Sequence, residues 1–406
     1  MANVPADAEG EERPLLPNER TYLGFRSQRQ AHNLNGCYRF LLKIVKITFC
    51  SLGLWSHQAW NYILRALVSL LCFYQAVYDF YVVLGCHGFD CSFLQNSTDS
   101  KKPSHHKDDR HVANAVYTIV SLAAVVSYLL FIRCFIVAKH KNSSMVAPSE
   151  SLMDDLSRTD CWWLCLTFAL ITMLFLSSVA VFYVIIWISQ PKDNYFIFLA
   201  TGVGAQFFAQ WTAITTCHVF AVSSFSIGTY AEDTLRHIEE IEERHRTLDK
   251  IITLHQGLCT IVFNTVSSYS VWFVVHWLSY GVGVVLSIIY ISKELLSTSK
   301  YGTPTINLVY LGLFFVCHIY LFLLPCIFAA RITSKCRGVY EKINSTTSDK
   351  WVADGHPFRD RRNIALFISY AKDSGCGFKI GRITFSTSLA WLSFFFGLTG
   401  LLFHFF

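Results

Sequence analysis

The sequence predicts an all-α polytopic membrane protein. It should have seven transmembrane helices, a cytoplasmic N-terminus, a C-terminus outside, and cytosolic helical extensions on the last four spans. Three observations carry that expectation. The first is composition: 53% of the 406 residues are hydrophobic and 15% are charged, and the mean hydropathy is +0.37, a balance typical of multi-span proteins. The second is the run 383–406, which holds no Lys, Arg, Asp or Glu and is long enough to cross a hydrocarbon core of about 30 Å as a helix. Lys379 and Arg382 stand before it and no lysine or arginine follows, so its start lies in the cytoplasm. The third is the basic excess of residues 331–382, eleven Lys/Arg against five Asp/Glu, which marks an inner segment. The formal charge of +6 lies beside apolar runs. It reads as topogenic charge, and no nucleic-acid partner is expected.

Residues 1–36 are polar and hold Pro5, Pro14 and Pro17, which suits a disordered cytosolic segment. Within it Glu11 precedes the pair Leu15 and Leu16. That spacing is similar to the acidic dileucine signal bound by clathrin adaptors, and it points to endosomes or lysosomes. Residues 37–65 are apolar but carry Arg39, Lys43, Lys46 and Arg65 with Trp55 and Trp60. This is the pattern of a basic amphipathic segment at the inner headgroups. Spans one to four fill residues 66–228. The first, 66–85, holds Gln75 and Asp79 on one helical face, and an acid at that depth turns to the bundle rather than lipid.

Residues 86–111 follow outside. Asn96-Ser-Thr98 is a glycosylation acceptor, and Cys86 with Cys91 is the expected disulfide of an oxidising compartment. Residues 105–111 are rich in imidazole and carboxylate, but nothing there fixes a geometry, so a solvated loop is expected and no metal. The second and third spans, 112–138 and 161–188, flank the inner loop 139–160. The fourth, 196–227, carries Gln206, Gln210, Thr212, Thr216 and His218. Interhelical hydrogen bonding and a polar ligand pocket both account for them.

Residues 229–255 pair Glu240 with Arg244 and Glu242 with Arg246, beside a stripe of Leu235, Ile238, Ile241, Leu248 and Ile252. A cytosolic charged helix with one packing seam follows. Spans five and six fill residues 256–330. Residues 256–292 are apolar throughout and predict one long helix, because Gly281-Val-Gly283 has no flanking charge or proline to form a loop. Residues 293–305 then lie outside, and 306–330 is the sixth span, with His318 and Pro325. A basic cytosolic loop and helix, 331–382, leads to the terminal pore-type span 383–406. Asn142 and Asn344 also begin acceptor sequons, which this topology keeps cytoplasmic and unmodified.

Catalytic signatures are lacking. There is no Gly-rich phosphate loop, no Gly-x-Ser-x-Gly elbow and no His-Glu-x-x-His. Cys161-Trp-Trp-Leu-Cys165 is not a Cys-x-x-Cys pair, and most of the 14 cysteines fall in apolar runs where they act as small hydrophobes. No enzyme and no cofactor is expected.

Three features resemble one family together. Long fourth and fifth spans are joined by the charged helix 229–255, a basic inner helix follows the sixth span, and Gly375-Cys-Gly-Phe-Lys-Ile380 precedes the last span. This order is similar to the gustatory and odorant receptor superfamily of invertebrates and its gustatory-receptor-like relatives, with their Gly-Phe-x-Ile lead-in to the final span. The resemblance implies a homo- or hetero-tetrameric ligand-gated cation channel. Its last spans line a pore, the inner ends of spans four to seven form an anchor domain, and a small-molecule pocket lies in the outer half among spans two to six. Gln206, Asn264, Ser268, Tyr269 and His276 are the polar pocket candidates that it implies. Ser393, Phe394, Phe395 and Gly400 are the pore and gate candidates.

The chain departs from the insect receptors at one place. Gly400 stands where they carry a pore glutamine, and a Phe- and Leu-lined run resembles a dewetting gate. The sequence therefore resembles a non-insect, gustatory-receptor-like type. A non-conducting endosomal, lysosomal or reticulum adaptor of the same fold is the alternative, and a transporter is the second.

Overall fold

Along residues 212–229 no side chain is formally charged, and small, hydroxyl and aromatic residues mix. Such a stretch can form a helix enclosed on every side, provided its hydroxyls bond its own backbone. The computed structural model describes residues 36–55, 59–85, 106–141, 145–149, 152–153, 156–189, 195–240, 248–301, 305–344, 361–389, 392 and 395, and it builds the stretch that way. Every residue from 212 to 229 is buried. Thr212, Thr215 and Thr216 donate to the carbonyls of Ala209, Trp211 and Ala213 at 2.6, 2.9 and 2.8 Å.

Around that helix stand the others. In chain order they are α1 (Gly36–Ser51), α2 (Ala59–Gly85), α3 (His106–His140), α4 (Arg158–Ser189), α5 (Tyr195–Glu240), α6 (Leu248–Tyr301), α7 (Thr305–Asn344) and α8 (Arg361–Ser374). A hairpin of β1 (Lys379–Ile380) and β2 (Ile383–Thr384) follows. The enclosed helix is α5, which touches α1, α2, α3, α4, α6 and α7. Helix α3 lies along α6, α7 packs on α4, α5 and α6, and α8 docks on α6 and α7. Among the described residues, four segments are long and apolar enough to cross a membrane: Leu122–His140, Thr159–Val184, Leu248–Ile289 and Leu308–Asn344.

Three boundaries differ from those read off the sequence. Residues 37–65 are not one segment: α1 ends at Ser51, and residues 59–65 already belong to α2. The reason is Arg65, which is buried rather than held at a surface. Its Nε donates to Gly53 O at 2.8 Å and its guanidinium lies over Phe135 at 4.7 Å. Gly53 makes that corner with φ 67, and a Cβ there would come within 2.8 Å of Asn61 O. Of the charged stretch 229–255, residues through Glu240 belong to α5 and those from Leu248 to α6, while 241–247 lie outside the described residues. Finally, 256–292 is one continuous helix as expected, but α6 runs on to Tyr301 through residues read as loop.

Charge collects at one end of the bundle, where α3, α5 and α7 finish and α4 and α6 start. Asp160 of α4 pairs with Arg331 of α7 at 2.5 Å, and Glu232 of α5 pairs with Lys335 of α7. Lys141 Nζ donates to Ser267 of α6 at 2.6 Å. The hairpin sits at this end. Lys379 pairs with Thr384 and Ile380 with Ile383, closed by a two-residue turn whose first residue, Gly381, has φ 59. Phe378 beside it is buried against Phe220, Phe273 and Phe385, and its N–H donates to Thr333 Oγ1 at 3.0 Å.

Candidate functional site

Pro325 sits inside α7 without an amide hydrogen, so the carbonyl of Leu321, four residues earlier, has no helical donor. His276 of α6 supplies one, with Nε2 at 2.9 Å from Leu321 O. A carbonyl only accepts, so Nε2 carries the proton and Nδ1 is the acceptor. Nδ1 takes the hydroxyl hydrogen of Ser127 on α3 at 2.7 Å, and Ser127 Oγ accepts from Trp272 Nε1 at 3.0 Å. Cys217 of α5 places its sulfur 3.4 Å from Nε2. One buried imidazole therefore ties α3, α5, α6 and α7 together at a proline-broken turn.

His218 of α5 is also satisfied. Its Nδ1 donates to Ile214 O at 2.8 Å and its Nε2 accepts from Tyr320 Oη at 2.9 Å. His318 of α7 is different. Its Nδ1 donates to Phe314 O at 2.6 Å, while its buried Nε2 has no partner among the described residues. Tyr280 of α6 lies with its ring 6.1 Å from that imidazole, and its Oη is likewise buried and unpartnered among the described residues. Gln210 Nε2 on α5 and Ser287 Oγ on α6 share that condition.

All four residues lie in the half of the bundle away from the charged end. An unmade hydrogen bond in such a place costs about 1–3 kcal/mol. Four of them in one half of a bundle are best accounted for by water or a ligand. The surroundings are aromatic: Phe182 meets Tyr310 at 5.0 Å, Phe314 meets His318 at 4.1 Å, and His276 meets Tyr280 at 4.4 Å. Phe175 stacks on Trp211 at 5.5 Å beside Gln210. Apolar walls with a few converging polar groups are the makeup of a small-molecule site.

The residues picked from the sequence fall in different places. His276 is the node just described. Tyr269 lies toward the charged end, where its Oη donates to Val146 O at 2.9 Å and contacts Ser223 Oγ at 2.9 Å, fastening residues 145–149. Ser268 is buried and donates to its own helix at Asn264 O, 2.8 Å away. Trp272 lies between Tyr269 and His276, with ring centroids at 5.9 and 5.0 Å. Phe395 is helical and exposed. The side chain of Gln206, and Ser393, Phe394, Gly400, Asn96, Cys86, Cys91, Glu11, Leu15 and Leu16, lie outside the described residues. Among the described residues no three metal-ligating side chains converge. Tyr280 and Ser287 escaped the sequence reading. Tyr280 stands one helical turn beyond His276 on the same face, which is the signal that could have found it.

A multi-pass helical membrane protein with a partly polar interior is the class these features define. Two solved structures share its architecture. The olfactory receptor OR5 of the insect Machilis hrabei is 14% identical with a TM-score of 0.50. The same receptor in complex with eugenol is 14% identical with a TM-score of 0.53. Each match covers 90% of this chain and 98% of the receptor chain. The chain thus has the insect olfactory receptor fold, as the likeness of residues 375–380 to the gustatory and odorant receptor superfamily implies. No family model matches the sequence, and no curated protein does.

Proposed function

We propose that this chain is a gustatory-receptor-like chemoreceptor, four copies of which form a ligand-gated cation channel. The observation that carries the reading is the shared fold over 90% of the chain with an olfactory receptor, one structure of which holds eugenol. Eugenol is a phenol. Tyr280 Oη and His318 Nε2 offer one donor and one acceptor within aromatic walls, which suits a small aromatic molecule bearing one hydroxyl or carbonyl group.

In this reading the charged end is cytoplasmic, by the basic excess of residues 331–382. The bilayer and the sister subunits are then the standing partners. The ligand lies one turn from His276 and Leu321, at the turn that Pro325 breaks. It gates only by binding one arrangement of α6 and α7 better than the other. Residues 383–406, with Ser393, Phe394, Phe395 and Gly400, line the pore.

The test is reconstitution of the purified chain in liposomes loaded with a cation-sensitive dye, challenged with a panel of phenols and aromatic alcohols. Ligand-dependent flux and a tetramer by native mass spectrometry are expected. Tyr280→Phe should raise the half-effective concentration about tenfold, the loss of roughly 1.4 kcal/mol, with folding intact because no internal hydrogen bond is removed. Absence of flux with a monomeric chain would sink the reading. Gly400 in place of the pore glutamine favours a second one, a non-conducting receptor-like adaptor of endosomes or lysosomes addressed by Glu11, Leu15 and Leu16 through a clathrin adaptor. A tetramer that binds phenols without flux would support it.

A further inference from the structure

Helix α1 packs on α4 and α5, and its C-terminal corner is held by α2, where Arg65 Nε reaches Gly53 O. Arg65 in turn rests on Phe135, near the C-terminus of α3. The corner therefore belongs to the charged half of the bundle. Exposed aromatic residues mark the membrane boundary in that half: Trp60 and Tyr62 in the first turn of α2, and Trp162 and Trp163 at the start of α4. Tryptophan and tyrosine collect at the level of the lipid headgroups.

The helix has three faces rather than the two of a simple amphipathic segment. Val45 and Phe49, one turn apart, are buried in the bundle. Phe40, Ile44 and Ile47, spaced to share one face, are exposed. Between these rows stand Lys43, which is exposed, and Lys46, which is half-buried with its Nζ 5.4 Å over the ring of Trp55. A third cation, Arg39, belongs to the same helix, and α1 contains no Asp or Glu. An exposed row of Phe and Ile at a membrane boundary faces acyl chains. Neutral lipid would satisfy that row by itself. A helix carrying three cations and no acid adds a demand for negative charge at the headgroups. The same charges disfavour a second copy's α1 as the occupant, because like charges would face each other.

We propose that α1 is a docking site for an anionic phospholipid. An acyl chain lies along Phe40, Ile44 and Ile47, and the headgroup phosphate is held by Lys43 and Lys46. The sequence reading spread the basic segment over 37–65. The structure withdraws Arg65 into the interior and leaves the lipid-facing role to α1. The site lies away from Tyr280 and His318, in the other half of the bundle, and stands whether or not the chain conducts.

The experiment uses the full-length protein in neutral detergent. Phosphatidylserine or phosphatidylcholine is titrated in, and bound lipid is counted by native mass spectrometry. Phosphatidylserine should bind at least tenfold more tightly. Lys43→Gln should weaken it about fivefold, as expected for one cation near anionic lipid, with the thermal midpoint unchanged because that side chain is exposed. Lys43→Gln with Lys46→Gln should weaken it about twentyfold. Lys139→Gln, an exposed lysine at the end of α3, should leave it within twofold. Equal binding of the two lipids would overturn the proposal, as would a Lys139→Gln loss matching that of Lys43→Gln. Displacement of phosphatidylserine by an equal concentration of inorganic phosphate would overturn it too, since the acyl chains would then contribute nothing. Location is read separately, with Ile47 replaced by benzoylphenylalanine and the protein irradiated in nanodiscs holding both lipids. Adducts enriched in phosphatidylserine are expected; adducts in proportion to the mixture, or a link to a second chain, would overturn the assignment to α1.

Discussion

The imidazole of His276 answers a deficit created 49 positions away in the sequence. Pro325 withholds a donor from Leu321 O, and His276 Nε2 provides one at 2.9 Å. His276→Leu would leave that carbonyl without a donor and the Ser127 hydroxyl hydrogen without an acceptor in a dry interior, at about 1–3 kcal/mol each. We expect the thermal midpoint in detergent, followed by tryptophan fluorescence, to fall by several degrees. An unchanged midpoint would show that the bond carries no weight. At this scale the sequence was half legible. A proline within an apolar run announces an orphan carbonyl, but nothing in the sequence says which helix brings the donor.

Among the elements, the apolar runs were the most readable part of the chain. Residues 256–292 gave one helix because no loop signal interrupts them, and α6 bears this out. The corner between α1 and α2 was not readable. Arg65 looked like a headgroup charge, yet it turns inward to Gly53 O and the Phe135 face. Burial of a guanidinium depends on partners that sequence spacing does not reveal. Gly53→Ala tests the corner: a side chain at φ 67 and a contact of 2.8 Å to Asn61 O should cost about 1–3 kcal/mol. Denaturant or heat titration against wild type measures it, and a neutral result would mean that the corner relaxes freely.

For the molecule as a whole, orientation is the property on which most of the functional reading turns. Acceptor sequons offer a direct measurement. Asn96 should be glycosylated in a eukaryotic membrane, while Asn142 and Asn344 should not, and an acceptor tag appended after Phe406 should be. Modification at Asn344 would invert the bundle. The class, an all-helical multi-pass membrane protein, was legible because long runs with few charges are a sequence property. The candidate site was not, since Gln210, Tyr280, Ser287 and His318 come from three helices and share only their unsatisfied atoms.

The enclosure of α5 bears on inheritance. Its middle, residues 212–229, is covered entirely by the helices of its own chain, so no sister copy can touch it. A lesion there, such as Ala221→Asp, spoils the copy that carries it before that copy meets another. Co-expressed with wild type, it should leave the yield of wild-type assemblies unchanged and behave as a recessive allele. Changes on the outward row of α6, at Phe263, Val271, Leu278 and Val282, fall on folded chains that can still join an assembly. If the proposed tetramer forms, dominant alleles belong on that row, and recessive ones in α5.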